Sequence, residues 1–453
     1  MWLERINKKD EFIQALLSLR SQVLIVRGAR QVGKTSFIVN ALKELHSHPH
    51  IRLNLAANHA HSVEGLEYFG RDYFGYTEGV EELLKNLTLT YGKLGARERP
   101  LIVVIDEADR HPVSLEAVQK LAGLSESLKV IYTGSNLENI QVKNAATGRK
   151  RYWDLYPLTF WDFLKAYSKD EELNYLRGIS LKNPLYSEHY HKELCELFDL
   201  YLRLGGMPRV VSVFLDPQGQ AIPSVISDLV ASIEENVKAV LDQKSSLYEY
   251  EDVLRKLALL SMDTLKFSRL QVQHAGRSEA KKLVNKTVGA RVAHKIRLFD
   301  TQSDLSKYVL FDAGVTNYLL NGSDLLHQKM TSSHLALQYE AVVGNEIIAT
   351  LPSRDDLFYW KSKRGAQVEY VLKSPAFIAI DVKTNRGDLR SLNSAALYEE
   401  DLDYLMKISR EQIRVDIEHV ARIPNQERFR KIPLIRLPHY LAGRVGELVR
   451  ELL

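Results

Sequence analysis

Four short apolar runs separated by helical periodicity mark the first third of the chain. Val23-Leu24-Ile25-Val26, bounded by Gln22 and Arg27, is rich in β-branched residues and predicts a buried strand. Ile51 to Leu55 alternates like a second strand, Leu101 to Ile105 follows Pro100 as a third, and Leu128 to Thr133 is a fourth. Between them, Asp10 suits the N-cap of a helix carrying Phe12, Leu16 and Leu19, while Phe37, Ala41 and Leu45 share a face of the next. The polar, mixed stretch 58–98 predicts one or two helices outside the sheet. From about residue 165 the spacing turns helical, with Leu197, Leu200, Tyr201 and Leu204 on one face that ends at Gly205-Gly206, a C-cap signal. A helix over 335–352 and strands at 357–360, 367–372 and 376–383 predict a second α/β unit.

The first strand runs into Gly28-Ala29-Arg30-Gln31-Val32-Gly33-Lys34-Thr35, the G-x-x-x-x-G-K-[ST] loop, and a helix opens at Ser36. A glycine-rich turn between strand and helix aims backbone N–H groups and the positive helix end at one point, where phosphate sits. Residues 28–36 are therefore the expected ATP cradle, with Lys34 on the β/γ-phosphates and Thr35 on Mg²⁺. The third strand delivers Asp106 and Glu107 at its C-terminal edge, where open α/β sheets bind ligands. Asp106 is expected to hold the magnesium and Glu107 to act as general base on the attacking water. Thr133, Ser135 and Asn136 close the fourth strand, either as γ-phosphate sensors or as a plain strand-ending turn.

Gly148-Arg149 and Leu155-Tyr156-Pro157-Leu158-Thr159-Phe160-Trp161-Asp162-Phe163 resemble the turn "GR…L-x-PL-[ST]-F-x-[DE]-F" of prokaryotic AAA-type ATPases whose C-terminal domain was long left without an assigned function. The order of P-loop, Ile105-Asp106-Glu107 and Thr133-Gly134-Ser135 is similar, as are Leu204-Gly205-Gly206-Met207-Pro208 and Phe311-Asp312-Ala313-Gly314. The resemblance spans nearly the full chain, down to Ile432–Pro438 and a short final helix. Thr159 with Asp162 three residues on suits a helix N-terminus. Arg149 or Arg151 is a candidate arginine finger, in cis or on a neighbouring subunit, or else surface charge. We read Gly205-Gly206 as architecture, not chemistry.

Net charge is only +4 over 453 residues, yet residues 264–297 carry nine basic side chains against Glu279 alone. Their layout predicts a helix-turn-helix: a helix from Leu265 to Gln273, a turn at Ala275-Gly276, and a second helix N-capped by Ser278. A wing strand is expected over His294–Phe299. Arg277, Lys281, Lys282 and Lys286 are the expected DNA contacts; a packing module with a solvated basic face is the other reading.

Glu369 on one strand, then Asp381-Val382-Lys383 on the next, follows the logic of PD-(D/E)XK nucleases. There, paired acids bind a divalent metal and the lysine activates water. The family resemblance implies the same for this region, with Glu340, Glu369 and Asp381 as metal ligands and Glu369, Asp381 and Lys383 as catalytic residues. Two departures stand out: Glu369 occupies a position where Asp is usual, and Asp381 one where Glu is commoner. They suit a metal site with shifted geometry, or a fold retained without cleavage.

The sequence thus predicts a multidomain α/β protein. An AAA-type P-loop ATPase domain spans 1–165, a helical connector 166–245, a winged-helix module 246–330 and a restriction-endonuclease-like domain 331–453. The expected cofactors are ATP and Mg²⁺, the expected partners DNA and possible further copies of the chain. The charged N-terminus, the lack of any apolar run near ~18 residues and a single cysteine, Cys195, predict a cytoplasmic protein without membrane spans.

Overall fold

In the computed structural model, the described residues are 3–6, 8–55, 62–64, 100–109, 115–139, 148–182, 184, 186–216, 218, 221–241, 250–267, 270, 276–299, 305–322, 331–385, 387–424 and 427–453. The N-terminal unit is built on strands β1 (Val23–Arg27), β2 (His50–Asn54), β3 (Ser62–Glu64), β4 (Leu101–Asp106), β5 (Leu128–Thr133) and β6 (Lys150–Asp154). Their order is β3-β2-β4-β5-β1-β6, all parallel except the β3 edge. Strand β5 therefore separates the P-loop strand from the Asp106 strand, as sensor-bearing ATPases require. Alternate residues of β4 feed opposite cores: Val103 and Ile105 pack with Val118 and Leu121, Ile102 and Val104 with Phe12, Phe37 and Ile38. Burial on both faces is why these strands read as unbroken apolar runs.

The expected helix N-terminus at Thr159 is a full capping box: Thr159 and Asp162 exchange side-chain and backbone hydrogen bonds at the start of helix Phe160–Ala166. Helix Glu188–Leu204 ends at Gly205, whose φ of 75° is glycine's left-handed region. The first helix begins at Lys8, two residues before the expected Asp10 cap. The region 58–98 lies outside the described residues apart from β3.

The basic segment departs from expectation in its first half. Leu265 is not helical: its amide donates to Ser306 O at 2.9 Å, alongside the hairpin, and 268–269 and 271–275 lie outside the described residues. The flanking helix is instead Tyr250–Leu259. The second helix, Arg277–Gly289, starts after Gly276 and not after Ser278. The strand expected over His294–Phe299 lies in a hairpin, β7 (Ala293–Leu298) with β8 (Ser306–Leu310).

That hairpin does not end its own module. β7 pairs in parallel with β9 (Phe358–Lys361). Further strands are β10 (Gln367–Leu372), β11 (Ile378–Val382), β12 (Tyr404–Ser409), β13 (Arg414–Asp416), the ribbon β14 (Val420–Arg422) with β15 (Phe429–Lys431), and β16 (Leu434–Pro438). The larger sheet runs β13-β16-β12-β11-β10-β9-β7-β8. Helix Ser332–Ile348 covers one face and helix Arg390–Tyr398 the other. The succession is helix, three antiparallel strands, helix, parallel strand. No helix among the described residues is long and apolar enough to cross a membrane.

Candidate functional site

The loop after β1 needs glycine at both ends. A Cβ on Gly28 would lie 2.4 Å from Leu155 O, and Gly33 has φ of 93° where the helix Lys34–Leu42 begins. Lys34 Nζ donates to Gly28 O (2.9 Å) and Ala29 O (3.0 Å), folding back over its own loop. Thr35 Oγ1 donates to Asp106 Oδ2 at 2.9 Å, which brings together the two residues expected to hold Mg²⁺. Removal from water pulls the Lys34 ammonium down to about 8, against Glu107, Asp109 and Asp106, which push it up.

Glu107 stands beside them in a left-handed backbone conformation, φ 52°, rare for a side chain of this size and typical of functional positions. Its amide donates to Asp106 Oδ1 (3.0 Å), while its buried Oε2 has no hydrogen-bond partner among the described residues. Burial, then Asp109, raise its pKa above the ordinary carboxylate value, with Lys34 opposing. A base held slightly above its usual range is better matched to taking a proton near neutrality.

Asp109 was not foreseen, although it follows Asp106 by three residues. It accepts from the amides of Ser135 (3.3 Å) and Asn136 (3.2 Å), and a Cβ on Gly134 would lie 2.3 Å from its Oδ1. The sensor candidates Ser135 and Asn136 reach past it to Asn236 on helix Ile222–Lys238. Thr133 Oγ1, by contrast, is buried without a partner among the described residues. Arg30 also leaves the cradle, donating from Nε to Ser232 Oγ at 2.7 Å. Of the rest, Ala29 and Val32 pack inward, while Gln31 and Ser36 are exposed.

Arg149 is misplaced for a finger in its own chain. Val23 N donates to Arg149 O, so Arg149 sits beside the start of β1 while the P-loop leaves its far end. Five residues at 3.3 Å each put roughly 16 Å between them. Arg151 bonds Ser18 Oγ at the same edge. Pro208 abuts the loop, 3.7 Å from where a Cβ on Gly33 would stand.

The four basic residues expected on DNA do not share one face. Arg277 and Lys281, one turn apart, are exposed; Lys282 stands 3.8 Å from Glu279. Lys286 is nine residues from Arg277, half a revolution away at 100° per residue. It faces the ATPase unit, with Nζ donating to Asn139 O at 3.2 Å and its carbonyl accepting from Asn139 Nδ2 at 2.9 Å. Its place in the grip is corrected accordingly. Next to this contact, Glu138 pairs with Arg27 (2.7 Å), Arg291 (2.6 Å) and Arg354 (2.9 Å), joining three units at the segment that leaves β5.

In the C-terminal sheet, the Tyr370↔Ile380 pairing places Glu369 opposite Asp381. The β9–β10 register shifts between Val368 and Val371, a bulge bracketing Glu369, the device by which strands re-aim a side chain. Lys383 Nζ donates to Asp381 Oδ1 at 2.8 Å and Val382 N donates to Glu369 Oε2 at 3.3 Å. Burial and then Glu369 push both Asp381 and Glu340 up to about 8. A second lysine, Lys307 on β8, was not foreseen: it is fully buried 5.0 Å from the Tyr359 ring centre, and burial pulls its ammonium down while Glu369, Glu340 and Asp263 oppose that pull. Among the described residues, no three His, Cys, Asp or Glu side chains form a group that could hold a metal ion. Glu346, six residues beyond Glu340, is elsewhere, accepting from Phe160 N (3.0 Å) and Tyr201 OH (2.9 Å).

Residues 20–164 match the family model described as "AAA domain". No curated protein matches the chain. Among solved structures, Aeropyrum pernix ORC2 in its ADPNP–ADP complexes is 12% identical over 72% of this chain and 95% of its own, with a TM-score of 0.38. PCH-2 of C. elegans is 14% identical over 52% and 69%, at 0.30; Pif1 helicase from Candida albicans is 12% identical over 43% and 48%, at 0.22. Overlaps this loose carry no functional argument. The family match and the loop geometry coincide on one statement: the N-terminal unit is an AAA-type P-loop ATPase domain.

Proposed function

We propose that the chain is a Mg²⁺-dependent ATPase working as a molecular switch on DNA, with a C-terminal domain of restriction-endonuclease-like fold that binds without cutting. The Thr35–Asp106 hydrogen bond carries the ATPase reading, because it sets side by side the two groups that would hold magnesium. Bound there, Mg²⁺ supplies charge neutralisation for the phosphates. Thr35 and Asp106 would hold it, Lys34 would serve the phosphates, and Glu107 would orient water and take its proton at the carboxylate. The exposed Arg277 and Lys281 support a winged-helix grip on DNA phosphates.

The signal path follows from the segment 133–139, which starts at the sensor position and ends on Glu138 and Asn139, against the basic module and Arg354. The non-cutting reading rests on the acid cluster: Lys383 already supplies positive charge to Asp381, and the cluster does not fit the donor set of a metal site. The second reading, a metal-dependent nuclease using Glu369, Asp381 and Lys383, is favoured by the strand pairing that places Glu369 opposite Asp381.

Comparing ATP turnover with and without DNA, alongside solution mass, tests the proposal. DNA stimulation that Lys34→Ala abolishes is expected. Turnover indifferent to Lys34→Ala overturns the ATPase reading, indifference to DNA overturns the DNA switch, and Mn²⁺-dependent cleavage lost in Lys383→Ala overturns the non-cutting domain.

A further inference from the structure

Arg5 is a buried guanidinium in the short arm ahead of the first helix, and it meets two backbone carbonyls. Nη1 donates to Tyr156 O at 2.6 Å, in the turn after β6, and Nη2 donates to Val32 O at 2.7 Å, inside the phosphate-binding loop. Two donors on one rigid plane fix two acceptors at once, which a lysine cannot do. The arm has its own anchors. Leu3 belongs to the core with Leu158, Phe160 and Phe163, and Ile6 N donates to Asp162 Oδ1 at 2.7 Å. The helix that carries Asp162 opens with Phe160 N on Glu346 Oε1, so the arm approaches the loop from a seat shared with the C-terminal unit.

Val32 is the point at which the loop turns over. It lies between Gln31 and Gly33, whose φ angles of 62° and 93° are both left-handed. Its side chain is buried in the core that holds Phe12 and Phe37. Lys34 holds the carbonyls of Gly28 and Ala29 from within the loop, whereas Arg5 holds that of Val32 from outside it. The Val32 carbonyl and the Gly33 N–H belong to one planar trans peptide and point to opposite edges of it. Whatever fixes this carbonyl therefore aims this amide.

We infer that Arg5 is a positioning residue for the nucleotide site: it sets the plane of the Val32–Gly33 peptide and so directs the Gly33 N–H toward phosphate. The inference rests on the ATPase reading and names a group outside the loop that keeps the loop in its binding shape. Arg5 acts through the peptide and not on the phosphate itself.

The test compares wild type, Arg5→Met, Arg5→Lys and Lys34→Ala as full chains, by equilibrium ADP binding and steady-state ATP turnover. Methionine keeps bulk and loses both donors; lysine keeps the charge and loses the fork. In Arg5→Met, KM for ATP and Kd for ADP are expected to rise at least about ten-fold, as for a lost charge-assisted hydrogen bond, while kcat stays within about three-fold. Arg5→Lys is expected to fall between Arg5→Met and wild type. A merely structural role moves a different quantity, because a smaller folded fraction lowers the maximal rate and leaves KM alone. An Arg5→Met KM within about two-fold of wild type overturns the inference, whatever happens to its melting temperature. Should Arg5→Met not fold, Arg5→Lys decides: a KM raised about three-fold or more supports the inference, and a wild-type KM overturns it. Turnover that survives Lys34→Ala overturns the ATPase reading instead.

Discussion

The amide of Gly206 donates to Asp312 Oδ2 at 2.7 Å, across 106 residues of sequence. Asp312 also N-caps the helix Ala313–Asn321 through Val315 N. Its neighbour Gly314 packs so closely that a Cβ there would lie 2.0 Å from Leu204 O. The two glycine-marked segments are thus halves of one lock between the helical connector and the basic module. A Cβ on Gly206 would meet Leu158 O at 2.0 Å, so Gly206→Ala forces backbone apart. It should cost more than about 2 kcal/mol in urea unfolding; a loss under half that size would show the lock to be loose.

Glu107→Gln keeps the side chain's shape and removes its ability to take a proton. Nucleotide affinity should stay within a factor of about three while turnover falls by ~10²–10⁴. Matched equilibrium binding and steady-state assays check this, and a variant with unchanged turnover would remove Glu107 from the chemistry.

Glu138→Gln leaves Arg354 without its acid, while Arg27 and Arg291 keep Asp154. Breaking a buried pair costs about 3–5 kcal/mol, but Glu138 is about a quarter exposed and solvent screens part of that. Roughly 1–2 kcal/mol of stability should be lost. DNA stimulation of ATP turnover should be lost with it, while basal turnover persists. Stimulation that survives in the variant would place the path elsewhere.

Burial pushes Glu346 up to about 8, partly opposed by its bonds from Tyr201 and Phe160. An unfolded glutamate titrates near 4.5. Between these values the native state holds a proton that the unfolded state has released, so stability falls as pH rises through the window. This contribution is complete below about 4.5, is gone above about 8, and changes by roughly 1 kcal/mol per pH unit between. In Glu346→Gln that part of the slope should vanish in melting temperatures measured from pH 5 to 9. An identical slope in both proteins would assign the proton to another group.

Arg277→Ala with Lys281→Ala should reduce the salt slope of DNA binding by about two, at ~0.9 per phosphate contact. Lys286→Ala should leave that slope unchanged and instead loosen the contact with Asn139. Equal effects of both changes on the slope would return Lys286 to the grip.

Much of the nucleotide site was legible because its elements carry local signals. A parallel strand buried on both faces writes itself as a continuous apolar run, and Lys34, Thr35 and Asp106 follow such runs at fixed offsets. The Thr159–Asp162 box and the Gly205 cap are likewise written within a few residues. What escaped depends on pairing between distant strands. Arg149 could not be placed as a finger in its own chain until the parallel β1–β6 pairing set it beside Val23. Lys307 reads in sequence as an ordinary charged residue at a strand end, and only the β7–β9 contact carries it under Tyr359. Leu265 has helical neighbours in sequence but gives its amide to Ser306.

The β7–β9 junction has a mechanical meaning as well. Two strands zipped side by side cannot rotate independently, so the hairpin, its basic helix and the acid cluster form a single lever arm. Any turning of the ATPase unit would then be felt by the hairpin and the sheet together. Distances from Lys281 to Tyr398, both outside the pivot, should hold constant through the nucleotide cycle, while those from Lys281 to Asn40 change.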